Sequence, residues 1–202
     1  TPRLSSAASD VYKRQTLTSN VIAGVNGNLE YLKLKTPDGS IYYLAEENLD
    51  FARLDKQYKD KKQWLDGLPK LKTISQIFKE RGGYEIIGKI LGRDMVDWKY
   101  SAPFDDFEAQ SELGGYPIRN DELADKDICG KIEHRVVDPG KDNLGNDIVV
   151  AGEGTGIVHM APGCGDIDHK VGKKIDTVSI APLDEESKFT GKFGWLSGKS
   201  AT

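Results

Sequence analysis

A β-rich α+β fold, with a closed or nearly closed β-barrel core and peripheral helices, is what the sequence predicts. Three observations carry that expectation. Short β-branched and aromatic runs, each bounded by turn residues, begin at Thr16 and return in the last third of the chain. Helical spacing is confined to a few stretches between and after them. The turns are rich in glycine, and no repeat or low-complexity tract interrupts the pattern, so residues 16–202 read as one domain.

Asn20 to Val25, Glu30 to Lys35 and Ile41 to Ala45 are expected as strands of an opening β-meander. Pro37-Asp38-Gly39 supplies the turn between the last two, proline setting the first corner and glycine taking the positive φ. Leu49, Ala52 and Leu54 predict a helix near residues 46–56; Ile74, Ile77 and Phe78 predict a second from Thr73 to Arg81, stopped by Gly82-Gly83. Tyr84 to Leu91 and Met95 to Tyr100 alternate as strands around a Gly92-Arg93-Asp94 turn. After the polar stretch Ser101 to Asp127, strands are expected at His134 to Val137, Asp147 to Ala151, Ile157 to Ala161 and Thr177 to Ile180. Asp166 to Lys174 predicts a short helix whose first turn is acidic, which suits the positive end of its dipole.

The 202 residues are 38% hydrophobic and 30% charged, with 28 Lys and Arg against 32 Asp and Glu. No apolar run approaches the roughly 18 residues of a membrane span, and the aromatic and branched residues suffice for a core, so a spanning protein and a wholly disordered one are excluded. A net charge of -4 argues against a uniformly basic nucleic-acid coat but allows a local basic patch. Cys129 and Cys164 form no CxxC pair, which points to a reducing, cytoplasmic setting. Residues 1–15 (TPRLSSAASDVYKRQ) lack periodicity and an apolar signal core, and read as a poorly ordered or foreign terminal segment.

The informative stretch is Gly152 to Lys173, GEGTGIVHMAPGCGDIDHKVGK. Its alternate glycines let backbone approach a ligand, but a dinucleotide fingerprint needs a helix directly after them, and Ile157-Val158 is strand-like. His159, Cys164, Asp166, Asp168 and His169 carry possible metal-ligand atoms at a spacing that fits no familiar set. Taken residue by residue, His159 also reads as a satisfied strand histidine and Asp168 as a helix N-terminal carboxylate.

As a whole, GTGIVHMAPGCGDID resembles the C-terminal motif of the editing domain inserted into class I isoleucyl-tRNA synthetase: a Gly-Thr-Gly strand, His-x-Ala-Pro, a glycine-rich turn, and an Asp nine residues after the His, as His159 and Asp168 are here. The valyl and leucyl enzymes share the Gly-Thr-Gly and the Asp without usually placing His before x-Ala-Pro. Thr16-Leu17-Thr18-Ser19-Asn20, followed by Val21 to Asn26, resembles the end of that family's threonine-rich peptide, Thr-Thr-Thr-Pro-Trp-Thr-Leu-x-x-Asn, and its following strand. Gln15 and Arg14 stand where the family has Trp and Pro. The resemblance spans Thr16 to Thr202 and lacks that part of the pocket wall.

The resemblance implies the valyl/isoleucyl/leucyl editing-domain fold and the hydrolysis of valine wrongly esterified to the isoleucine tRNA. One methylene is worth only ~1–3 kcal/mol in a hydrophobic pocket, a limit for which isoleucyl-tRNA synthetase is itself the reference illustration, so a second sieve removes the error. Asp168 is then expected to hold the substrate ammonium, and His159 to limit the amino-acid pocket or, secondarily, to contact ribose or water. Thr16, Thr18 and Asn20 would contact the ribose, carbonyl or water, with Gly154, Thr155, Gly156, Met160, Ala161, Pro162, Gly163 and Gly165 around the substrate. Water attack needs no cofactor and no metal, and neither cysteine has an assignable base for covalent catalysis. Cys164 is expected to fill space.

The expected partners are the 3′ end of the isoleucine tRNA carrying valine and the rest of a parent synthetase, with the isolated domain a monomer. No HIGH-like or KMSKS-like sequence appears, so ATP activation belongs elsewhere in a longer enzyme. Lys170, Lys173 and Lys174 are placed to meet phosphates, while Lys56 to Lys62 reads as a solvated face. Trp98, Tyr100 and Trp195 are candidates to stack on the terminal adenosine, although a residue of each kind is more often core. The rival functions are a binding module that docks the tRNA end without hydrolysis, and a metal-dependent hydrolase of another ester or amide.

Overall fold

The computed structural model describes residues 16–51, 53–54 and 70–201. The expectations for residues 1–15, for the far end of the helix near 46–56 and for the Lys56 to Lys62 run lie outside the described residues.

The strands are β1 (Ile22–Gly24), β2 (Glu30–Lys35), β3 (Ile41–Ala45), β4 (Arg53–Leu54), β5 (Lys70–Leu71), β6 (Glu85–Leu91), β7 (Arg135–Val137) and β8 (Val158–Met160). The helices are α1 (Ile74–Glu80), α2 (Asp121–Ala124), α3 (Gly130–Glu133) and α4 (Asp166–Lys174), and residues 16–18 form a further helical turn. Two three-stranded sheets, ordered β7-β1-β8 and β3-β2-β6, stand beside a two-stranded β4-β5 ribbon. The protein is thus β-rich and mixed α+β, and among the described residues these sheets do not close into a barrel.

Period-two alternation explains how β2 serves two cores at once. Leu32 and Leu34 face one way and pack with Leu44, Leu49 and, from α1, Ile74 and Phe78. Tyr31 faces the other way and packs with Val25, Ala45, Met95 and Val136, so it joins the two sheets. Each such buried side chain contributes roughly 1.5–3 kcal/mol. A third cluster, with Val21, Ile22, Met160, Val171 and Ile180, lies where β1 and β8 meet α4.

The helix from Thr73 forms as expected because its start is doubly capped: the Thr73 hydroxyl accepts from the Gln76 N–H at 3.1 Å and the Gln76 side chain accepts from the Thr73 N–H at 2.9 Å. Thr73→Ala is expected to cost about 1 kcal/mol in urea unfolding, and Thr73→Ser much less.

Four expectations are corrected. The meander is absent: β2 and β3 form the hairpin, but β1 leaves it to pair with β7 in parallel and β8 antiparallel. Near residue 46 the described residues form a 3-10 turn, Glu46–Asn48, in place of the expected helix start, because Asn48 turns inward to bond Gly152, Glu153 and Gly154. Met95 to Tyr100 is no strand: a 3-10 turn spans Gly92–Met95, and Asp97 takes a φ of 68°. Asp147 to Ala151 and Thr177 to Ile180 make only isolated bridges, Lys141 to Asp147 and Tyr116 to Ile180.

Candidate functional site

The site is assembled by the register of β1 against β8. Ala23 lies opposite His159 and Ile22 opposite Met160, and the Val21 N–H donates to the Met160 carbonyl at 3.1 Å. This pairing brings the helical turn at 16–18 to the side of β8, where His159 Nε2 lies 2.9 Å from the Thr16 hydroxyl. Two residues 143 positions apart are thereby joined.

Beyond β8, Ala161 and Pro162 are buried and the chain turns sharply, the Cys164 N–H donating to the Ala161 carbonyl at 2.8 Å. Gly163 has no room for a side chain, since a Cβ there would lie 2.1 Å from the Ile180 carbonyl oxygen. Helix α4 follows Gly165 and presses its Gly172 onto Pro162. Held this way, Asp168 in the first turn reaches back, and its Oδ2 accepts the Ala161 N–H at 2.8 Å.

Burial pushes the Asp168 carboxyl above the ordinary carboxylate range, against the opposing pull of the Ala161 N–H and of nearby His159. Burial likewise pushes the Cys164 thiol up to about 11, so it is protonated at neutral pH and is no nucleophile there. Its Sγ contacts the Ile180 carbonyl at 3.8 Å. Among the described residues no group of three or more His, Cys, Asp or Glu side chains could hold a metal, and no helix is long and apolar enough to cross a membrane.

The other expected site residues divide by what their polar atoms do. Asn20 donates to the Ile22 and Met160 carbonyls at 2.9 and 3.2 Å and accepts from the Tyr100 hydroxyl at 2.6 Å, so its amide is committed to the scaffold. Thr18 is fully buried, and Met160 and Ala161 belong to the core. Gly154, Thr155 and Gly156 tie the approach to β8 to the other sheet: Asn48 donates to the Gly154 carbonyl, Ala45 to that of Thr155, and the Tyr31 hydroxyl to that of Gly156. The geometry therefore brings Thr16, His159 and Asp168 together around the Ala161 turn and leaves the Gly-Thr-Gly segment as a brace.

Of the aromatic candidates, Tyr100 is stacked on His134 at 4.9 Å, Trp98 packs edge-on against Tyr43, and Trp195 is 65% exposed beneath Lys199. Sequence reasoning missed the residues that hold the threonine segment in place. Gln110, fully buried, donates to the Thr18 and Asn20 carbonyls at 2.9 and 3.0 Å. His134, also buried, donates from Nδ1 to the Val21 carbonyl, and its Nε2 meets Asp105 at 2.7 Å. Both come from outside the motifs, and their only mark in the sequence is a polar side chain in a polar stretch or at a strand's edge.

This is a β-rich α+β unit whose threonine segment and His-to-Asp segment converge, and it is similar over most of its length to a segment of isoleucine-tRNA ligases. The resemblance drawn from the motifs is borne out by particular relatives. The isoleucine-tRNA ligase of Sulfolobus acidocaldarius is 25% identical over 185 residues, covering 91% of this chain and 13% of that protein. That of Chlamydia trachomatis is 26% identical over 178 residues, 88% of this chain and 12% of that protein. That of Tetrahymena thermophila is 27% identical over 187 residues, 91% of this chain and 13% of that protein. The chain thus spans about an eighth of the length of these curated relatives. No family model matches the chain. Among solved structures, the crystal structure of GlLeuRS-CP1 gives a TM-score of 0.43 at 15% identity, over 87% of this chain and 53% of that one.

Proposed function

We propose that this chain is an aminoacyl-tRNA editing domain that hydrolyses valine from the isoleucine tRNA. The observation that carries the reading is the convergence of Thr16, His159 and Asp168: a hydroxyl bonded to an imidazole at 2.9 Å, beside a half-buried carboxylate held by the Ala161 N–H at 2.8 Å. One carboxylate oxygen is fixed by the backbone, and the other is left to receive an ammonium by a charge-assisted hydrogen bond. That grip orients the ester carbonyl for attack.

In this mechanism His159 bounds the side-chain pocket, and Thr16 fixes its ring and contacts the ribose or the water. Water adds to the ester carbonyl carbon, the bond to the ribose oxygen breaks, and the water's proton passes to that oxygen, leaving free valine and an intact tRNA end. Asn20, Gln110 and His134 act one step back, holding the threonine segment in register with β8. The partners in this reading are the charged tRNA end and the remainder of a synthetase.

The test is to incubate the chain with the isoleucine tRNA carrying either valine or isoleucine. Release of valine alone is the expected result; retention of both esters with tRNA still bound would favour the docking module instead. His159→Ala should widen the pocket and let the isoleucyl ester be cleaved. The discrimination it removes is about 10- to 200-fold, the range one methylene supplies.

A further inference from the structure

The His134 side chain is 1% exposed, and both of its ring nitrogens have partners. Nδ1 is 2.9 Å from the Val21 carbonyl oxygen, and Nε2 is 2.7 Å from Asp105 Oδ1. A carbonyl oxygen only accepts, and so does an ionised carboxylate. A neutral imidazole has one N–H and one lone pair, so it would satisfy one of these oxygens and turn its lone pair on the other. The two contacts together call for a proton on each nitrogen.

The surroundings suit an ion pair at that place. The Asp105 side chain is 18% exposed, and its second oxygen accepts the Ala102 N–H at 2.9 Å, a bond that favours the ionised form. Tyr100 lies flat on the imidazole, with ring centres 4.9 Å apart and planes 19° from parallel, where an aromatic face attracts a cation. Burial holds the Tyr100 phenol above its ordinary range, so its hydroxyl keeps the proton that it gives to Asn20. Asp105 and Tyr100 are the titratable groups that meet the ring. Beside it in the chain, Glu133 is turned to Arg135 at 2.6 Å and to Thr177 at 2.9 Å, and β1 brings the Val21 carbonyl. Imidazolium and carboxylate offset one another, so the pair is buried without leaving an uncompensated charge.

The consequence falls on the site. At Val21 the threonine segment enters β1, its carbonyl held by His134 and its N–H by the Met160 carbonyl at 3.1 Å. Asn20, one residue earlier, accepts from the Tyr100 hydroxyl at 2.6 Å, and Thr16 reaches His159 from the same segment. We propose that His134 is a buried imidazolium paired with Asp105, and that its charge as well as its shape positions the threonine segment beside β8. The catalytic consequence rests on the editing function proposed above; the charge of the pair does not.

The experiment is a two-bond proton–nitrogen correlation spectrum of the 202-residue chain labelled with 15N-histidine, at pH 8, where an unpaired imidazole carries one ring proton. The chain has three histidines, His134, His159 and His169, and His134→Gln identifies the signals of the first. Both His134 nitrogens should resonate as protonated in the parent and in Asp105→Glu. In Asp105→Asn, whose amide can donate to Nε2 instead of accepting from it, one should move to the unprotonated position. A bare nitrogen on His134 in the parent would overturn the proposal, as would two protonated nitrogens surviving in Asp105→Asn. The parent spectrum decides the charge even where Asp105→Asn fails to fold. Positioning is read from His159, whose Nε2 meets Thr16: Asp105→Asn should shift its signals and Asp105→Glu restore them, and signals indifferent to Asp105→Asn would overturn that part. In deacylation of the valyl ester, Asp105→Asn should lower kcat by up to about 100-fold, the cost of a displacement near 1 Å, with KM kept because Asp168 stands on α4. A loss confined to KM would count against positioning. A doubly protonated His134 in a parent chain that hydrolyses nothing upholds the pair and counts against editing, and hydrolysis with a singly protonated His134 does the reverse.

Discussion

Asp168→Asn is expected to lower hydrolysis of the valyl ester by about 100-fold, from the loss of a charged hydrogen bond of roughly 1.5–3 kcal/mol within a half-buried site. The amide keeps an oxygen for the Ala161 N–H, so the turn and α4 stay in place. Because burial disfavours the ionised carboxyl in the folded protein, removing that charge should leave the urea midpoint unchanged or raise it. Initial rates of deacylation and urea unfolding on the same preparations check both halves. A variant that hydrolyses the ester at the parent's rate would remove Asp168 as the ammonium anchor. One that loses activity only by unfolding would reduce it to a structural carboxylate.

The same burial fixes the direction of the pH dependence. The ammonium needs the ionised form, so activity should fall on the acid side with a midpoint above the ordinary Asp value of 3.8. For folding the sign is opposite. With the folded pKa raised, the native state binds more protons than the unfolded chain between 3.8 and the raised value, so this group's contribution to stability falls as pH rises through that window. Asp38, Asp142 and Glu46, all lowered by hydrogen bonds, lose their contributions as pH falls instead. Comparing the parent with Asp168→Asn isolates the one group for which activity and stability move in opposite directions.

The strands β2 and β3 and the helices α1 and α4 were legible because each carries its own period and its own stop: Pro37 and Gly39 at one hairpin, Thr73 and Gln76 at one cap, and an acidic first turn in α4. The register that makes the site was not. Nothing local to Ile22 says that it pairs with Met160 rather than continuing into a hairpin with β2, because strand pairing is decided by which faces can be buried together. Thr16, His159 and Asp168 were legible as motif members, whereas Gln110 and His134 contribute through single buried polar bonds that leave no periodic trace. Asn20 shows the converse, a motif residue whose amide is occupied by the Ile22 and Met160 carbonyls and by Tyr100. Spacing shows which residues travel together and does not reveal which of their atoms remain available.

Gly163→Ala is expected to damage the site more than its distance from the ester suggests. Its Cβ would fall 2.1 Å from the Ile180 oxygen and 2.4 Å from its carbon, where real Cβ contacts essentially never fall under 3.0 Å, and both are backbone atoms that no rotamer change can move. Either the turn after Ala161 or the 179–181 segment must shift by about 1 Å. Overpacking of this kind costs about 1–3 kcal/mol, and a displacement of 1 Å in positioning groups can cost about 100-fold in rate. The shift falls on the turn whose Ala161 N–H holds Asp168, so both losses are expected together. Gly191→Ala is the control: nothing lies within 4 Å of its added carbon and its φ is ordinary, so stability should stay within about 0.5 kcal/mol of the parent. Urea unfolding with parallel rate measurements decides the matter. If the Gly163 variant matches the Gly191 variant in both, the close approach to Ile180 has no part in holding the carboxylate. If it loses rate far beyond its loss of stability, the glycine-rich turn is what sets the position of Asp168.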